Sequence, residues 1–129
     1  MKEKLENLLK NSYSPYSKYA VAAILVMKDN KEFYGVNYEN ASYGSTICAE
    51  RNVIGSAITA GYKKGDFKVL YLMASSGDFV TPCFACRQVL IEFMNNDDLV
   101  ISVNKEGKEK VYKIEELCPY PFSLDDLNR

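Results

Sequence analysis

Residues 19–27 read YAVAAILVM, nine positions without a charge. A strand with one face in water alternates apolar and polar side chains, so a run this apolar predicts a strand covered on both faces. The turn signal KDNK follows at 28–31, then a shorter strand EFYGVNY at 32–38, so the pair reads as a hairpin. Working outward, Leu5, Leu8 and Leu9 have helical spacing within residues 2–12 and predict an opening amphipathic helix, which SYSPYSK breaks. Beyond the polar loop ENASYGST, the apolar residues Ala49, Val53, Ile54, Ala57 and Ile58 mark a helix that starts near Cys48 and that Gly61 can cap. FKVLYLMAS (67–75) is a second buried strand, and PCFACRQVLIEFM (82–94) is a helix with Pro82 in a favoured starting position. LVISVN is a further strand, KEGKEKVYK a turn with a short strand, and IEEL a helical turn before an extended tail. Hairpin, helix, strand, helix and strand give an α/β protein with helices packed on a mixed sheet, and 129 residues suit a single domain, 1–129, without repeats or linkers.

Composition narrows the function. Apolar residues make up 47% and charged residues 26%, the balance of a folded globular chain. A formal net charge of -1 offers no basic footprint for a nucleic-acid backbone, so small neutral ligands suit the chain better. MKEKLENLLK carries too many charges for a signal-peptide core, and no later run approaches the length of a membrane span. The expected location is the cytoplasm, without nucleic-acid or membrane partners. Thiols there stay reduced, so the four cysteines point to metal or redox chemistry ahead of disulfides. The chain contains no histidine, which removes histidine-based catalysis and histidine metal ligands and leaves carboxylates as acid/base candidates.

Two helix starts carry those cysteines. STICAERNVIG (45–55) places Cys48, Glu50 and Arg51 within four positions, and PCFAC places Cys83 and Cys86 one helical turn apart. Taken alone, Cys48 reads as a buried thiol, and the C-x-x-C as a zinc half-site, a redox pair or two core cysteines. If the two helices lie side by side on the sheet, all three sulfurs can converge on one metal. Three protein ligands is the count of a catalytic zinc, which keeps a fourth position for water. Cys118, in the proline-rich EELCPYPF, could close a four-sulfur structural site, but it lacks a neighbouring ligand and reads as a spare thiol.

CAE followed by PCFAC resembles the signature of the zinc nucleoside and nucleobase deaminases. YSPYSKYAVAAIL, NYENASY, CAER, PCFACRQ and PYPFSLDDL are similar to successive landmarks of the homotetrameric, all-cysteine cytidine deaminases. The resemblance covers nearly the whole chain, in order. It implies a three-layer α/β/α sandwich around a mixed β-sheet. It also implies one zinc per chain on Cys48, Cys83 and Cys86, with Glu50 as the proton shuttle in hydrolytic deamination of cytidine and deoxycytidine. It further assigns Asn37 and Glu39 to the ribose hydroxyls, the Ala49 backbone N–H to the pyrimidine carbonyl, and Tyr19 to the pocket wall. Tyr43 and Phe122 would reach into a neighbouring subunit's site, so that a homotetramer shares its active sites. Arg51 would donate to a thiolate and offset the charge of three sulfurs around a dication.

Simpler readings stand beside these: a polar turn for Asn37, a core aromatic for Tyr19, a surface charge for Arg51, and a tail anchor for Phe122. The chain departs from the family at Phe84, where glycine is usual, and at Ala22, also in place of glycine. Phe84 must turn outward or fill pocket space. A blasticidin S-type nucleoside deaminase and a non-catalytic zinc-binding module are the alternative functions. The first shares the chemistry, and the second would need a closed four-ligand site and have no use for Glu50.

Overall fold

The computed structural model describes residues 1–128. Its elements in chain order are α1 (Lys2–Leu9), β1 (Val21–Met27), β2 (Glu32–Val36), α2 (Ala49–Thr59), β3 (Phe67–Ala74), α3 (Phe84–Phe93), β4 (Leu99–Val103), β5 (Glu109–Lys113), α4 (Ile114–Leu117) and α5 (Leu124–Leu127). The strands form one sheet in the order β2-β1-β3-β4-β5. β1 runs antiparallel to both β2 and β3, β3 and β4 are parallel, and β5 returns antiparallel to β4. The sheet is therefore mixed, and α3 lies in the crossover between its two parallel strands.

β1 explains its own composition. Ala23, Leu25 and Met27 face a core shared with Ala49, Val53, Ile54 and Ala57 of α2, Leu90 of α3, and Phe67, Leu70 and Leu72 of β3. The alternate residues Ala22, Ile24 and Val26 face the other side, in a core with Leu5 of α1, Val69, Met73, Ile101 and Val103. Helices on both faces leave no position on this central strand for a polar side chain. The result is the expected α/β/α arrangement. Ala22, the departure from the family pattern, lies on the α1 side, fully buried and away from the helix starts that carry the cysteines.

Two placements set up those helix starts. β2 and β3 are both antiparallel to the strand between them, so they run in the same direction, and the helices that follow them begin at the same end of the sheet. α2 also sits directly on β2. A Cβ added at Gly35 would lie 2.8 Å from the Ala49 carbonyl oxygen and 3.0 Å from the Val53 backbone nitrogen, so glycine is what permits this approach. At its far end, Gly61 at φ +99° donates to Ile58 O and Tyr62 donates to Ala57 O, the Schellman pattern that stops α2.

Some expected boundaries move. α1 ends at Leu9, short of residue 12, and β1 begins at Val21, leaving Tyr19 outside the strand. Pro82 is not inside α3: Cys83 occupies the N-cap in an extended conformation and the helix begins at Phe84. The tail is not wholly extended, because Ser123 and Asp126 form a capping box that starts α5.

The close approach at Gly35 yields a stability test. Gly35→Ala should push α2 off β2 and lower stability in urea unfolding by about 1–3 kcal/mol. Gly55→Ala, at a helical position where an added Cβ meets nothing within 4 Å, should raise it by roughly 0.5–1 kcal/mol.

Candidate active site

Cys48 is the N-cap of α2, Cys83 the N-cap of α3, and Cys86 lies in the first turn of α3. With both helices starting at one end of the sheet, the three Sγ atoms lie within 4.8 Å of one another. Cys83 Sγ and Cys86 Sγ are 3.4 Å apart. A tetrahedral zinc with Zn–S bonds of about 2.3 Å holds its sulfurs roughly 3.8 Å apart, so the donor set fits a soft, thiolate-preferring ion. Cys118, half-buried at the C-cap of α4, is not in the cluster.

The charge environment favours deprotonated sulfur at Cys48. A hydrogen bond from the Cys86 thiol, and then Arg51, hold the Cys48 thiol down at about 5 against the opposing effect of burial. The same contact pushes the Cys86 thiol up, together with burial. Arg51 Nη2 stands 3.6 Å from Cys48 Sγ and donates to Thr46 O at 3.2 Å. Arg51 Nε is buried with no hydrogen-bond partner among the described residues. A guanidinium nitrogen 3.6 Å from Cys48 Sγ suits a cluster that carries net negative charge. The two helix N-termini add partial positive charge on the same side.

Glu50 is 6% exposed, on the first turn of α2 next to Cys48. Burial, and secondarily the Cys48 sulfur, raise its carboxyl to about 7. A carboxyl that titrates there can give and take a proton near neutrality. A dication beside it would pull the other way.

Cys48, Cys83 and Glu50 open into a cavity of about 270 Å³, lined also by Tyr19, Asn37, Glu39 and Ala49. Ala49 is the first helical residue of α2, a position whose N–H has no acceptor within its own helix. Glu39 is pinned by the preceding loop: its Oε1 accepts from the Tyr16 and Ser17 N–H groups at 3.1 Å, and its Oε2 accepts from the Ser17 hydroxyl. The Ser17 hydroxyl above all, followed by its N–H, holds the Glu39 carboxyl below the usual range.

Asn37 is 8% exposed and heavily engaged within the chain. Its Oδ1 accepts from Ser12 Oγ at 2.5 Å and from the Val21 N–H at 2.9 Å, and its Nδ2 donates to Tyr19 O at 2.9 Å. One amide hydrogen remains for a ligand. The polar-turn role and the place in the cavity thus coexist in one side chain.

Tyr43 does not line this cavity. It stands 74% exposed on a single 3-10 turn, edge-on to Tyr16 at 5.8 Å, in an adjoining hollow that shares Ser17, Glu39 and Thr46 with the main cavity. Phe122 is also elsewhere, 58% exposed on the tail, with its carbonyl accepting from Gln88 Nε2 at 2.8 Å. Phe84 turns outward, 72% exposed, and its ring covers the Arg87 guanidinium at 4.4 Å. The cavity walls also use Ser17, Thr46, Leu72, Val80 and Thr81, which the sequence reading did not single out. Of these, only Ser17 fell inside a quoted landmark. Its hold on Glu39 spans 22 residues and has no local signature.

Residues 1–103 match the family model described as the cytidine and deoxycytidylate deaminase zinc-binding region. A cytidine deaminase of Halalkalibacterium halodurans is 39% identical over 117 residues, 91% of this chain and 87% of that protein. One from Sporosarcina psychrophila is 38% identical over 117 residues, 91% of this chain and 85% of the relative. The crystal structure of a cytidine deaminase from Burkholderia pseudomallei superposes with a TM-score of 0.87 at 39% identity, covering 93% of this chain and 94% of that one.

The cluster makes a metal-content prediction. Elemental analysis of the purified protein should find about one zinc per chain, most of it lost in Cys83→Ser and all of it retained in Cys118→Ser. Zinc that depends on Cys118 would indicate a closed four-sulfur site.

Proposed function

The chain belongs to the cytidine and deoxycytidylate deaminase family, and from that premise we propose that it hydrolyses cytidine and deoxycytidine to uridine and deoxyuridine with release of ammonia, in a site built by Cys48, Cys83, Cys86 and Glu50. The observation that carries this reading is the clustering of three cysteine sulfurs at one point, two of whose residues, Cys48 and Cys83, line a cavity of about 270 Å³ together with the buried Glu50 carboxyl. Cys48, Cys83 and Cys86 would hold the ion. When bound, zinc acidifies its water toward neutral pH, making hydroxide available for attack on C4 of the pyrimidine.

The chain's own groups do the rest. Glu50 accepts the proton that the attacking water gives up, delivers it to N3 of the ring, and carries the second water proton to the departing amino nitrogen. Its burial, which raises the carboxyl, equips it to hold a proton as well as to accept one. Arg51 donates to Cys48 Sγ and limits the electron density that three thiolates place on the metal. The Ala49 N–H orients the pyrimidine carbonyl, Glu39 and the remaining Asn37 amide hydrogen address the ribose hydroxyls, and Tyr19 forms the cavity wall.

Tyr43 and Phe122, both exposed and outside their own chain's main cavity, complete the site of a neighbouring subunit in a homotetramer. Residues 1–129 act as one catalytic domain in the cytoplasm, in pyrimidine salvage, without nucleic-acid or membrane partners. The net charge of -1, which offers no basic footprint for a nucleic-acid backbone, supports the reading of a small-molecule substrate. The cytidine deaminases at 38% and 39% identity favour cytidine over a blasticidin S-type substrate. A buried, titratable Glu50 beside three sulfurs favours an enzyme over a passive zinc module.

Incubation with cytidine should yield uridine and ammonia, while cytosine within a single-stranded oligonucleotide should remain intact. Glu50→Gln should keep its zinc and lose turnover by about 10²–10⁴-fold, the usual weight of a general acid/base. Full activity in Glu50→Gln would remove the carboxyl from the mechanism.

A further inference from the structure

Two arginines lie on the helices that carry the clustered cysteines, and of these Arg51 has a nitrogen against a sulfur. The other is Arg87, next to Cys86 on α3. All three of its guanidinium nitrogens are engaged: Nε donates to Pro82 O at 2.7 Å, Nη1 to Leu117 O at 2.6 Å and Nη2 to Thr81 Oγ1 at 2.9 Å. Its backbone N–H donates to Cys83 O at 2.9 Å. The Arg87 side chain thus grips the turn at two successive residues, Thr81 and Pro82, immediately before Cys83, and it is tied in turn to the last residue of α4, while its backbone bond to Cys83 O is the helix-opening bond of α3.

Of the three clustered cysteines, Cys83 most needs such a grip. Cys86 sits within a helical turn and is fully buried, and Cys48 is only partly exposed and has Arg51 against its sulfur. Cys83 is exposed and stands at an N-cap in extended backbone, so its sulfur goes where the preceding turn goes. The acceptors of Arg87 are two carbonyls and a hydroxyl, all neutral. Its contribution is therefore the planar fork, which reaches three acceptors at once, more than its charge. Phe84 covers that fork with its ring 4.4 Å away, which gives the outward-turned aromatic a task that glycine could not perform.

We propose that Arg87, stacked beneath Phe84, is a positioning residue that fixes the Thr81–Cys83 turn and so keeps Cys83 Sγ in the metal cluster, with α4 as its outer anchor. The inference rests on Cys83 being a zinc ligand.

The test is the rate of zinc release from the loaded protein to excess 4-(2-pyridylazo)resorcinol, measured alongside the urea midpoint. Arg87→Lys keeps the charge, but one ammonium cannot serve all three acceptors, so release should be about 10–100-fold faster, the usual effect of losing a group that orients a ligand. Phe84→Gly and Thr81→Val should shift release in the same direction by less. Leu5→Ala, on the opposite face of the sheet, should lower the midpoint and leave release unchanged. Arg87→Lys releasing zinc within about twofold of the parent would overturn the proposal. So would acceleration in Leu5→Ala that follows its lowered midpoint. Should the Arg87 variant fail to fold, Thr81→Val decides, since it removes only the Nη2 contact, and unchanged release would refute the bracing role. Full zinc in Cys83→Ser would instead strike at the ligand assignment beneath it.

Discussion

Everything at the site depends on β1 lying between β2 and β3 and antiparallel to both. That arrangement makes the outer two strands codirectional, so the helices after them start at the same end of the sheet and on the same face. Cysteines separated by 35 and 38 positions in the chain become neighbours because each occupies a helix start there. Gly35 sharpens the arrangement by letting the first turn of α2 rest against the β2 backbone. A larger residue would move Cys48, Ala49 and Glu50 together, because one helical turn carries all three.

Concentrating thiolates at one point creates an electrostatic difficulty, and the surroundings meet it in distinct ways. Helix N-termini lend partial positive charge to Cys48 and Cys83 without adding a titratable group. Arg51 supplies a full charge at Cys48, with its Nη2 3.6 Å from the sulfur. Burial raises the Glu50 carboxyl, whereas the hydrogen bond from Cys86, and then Arg51, lower the Cys48 thiol, so the two groups shift in opposite directions on folding. A sulfur ready to bind metal therefore sits beside a carboxyl ready to hold a proton.

The parts legible in the sequence are those set by periodicity or by a short motif. YAVAAILVM announced a doubly covered strand because both of its faces are in fact buried, and the two cysteine-bearing helix starts were visible from the apolar spacing that follows them. Pro82 misled the reading of α3 because proline favours the first helical position, whereas here the N-cap belongs to Cys83. The helical end of the tail was missed because four residues held by a capping box carry no periodic signal. The grip of Ser17 on Glu39, the binding of Asn37 to Ser12 and Val21, and the reach of Arg87 to Leu117 all join residues far apart in sequence. Such contacts become visible only once the sheet has brought their strands and loops together.

The central claim is that three sulfurs hold one zinc and leave its remaining position to a light atom from water. X-ray absorption at the zinc edge of the purified protein reads this directly. About three sulfur scatterers near 2.3 Å and one oxygen near 2.0 Å are expected. A shell of four sulfurs would contradict it, by showing that Cys118 closes the site and that no position is left for the reaction.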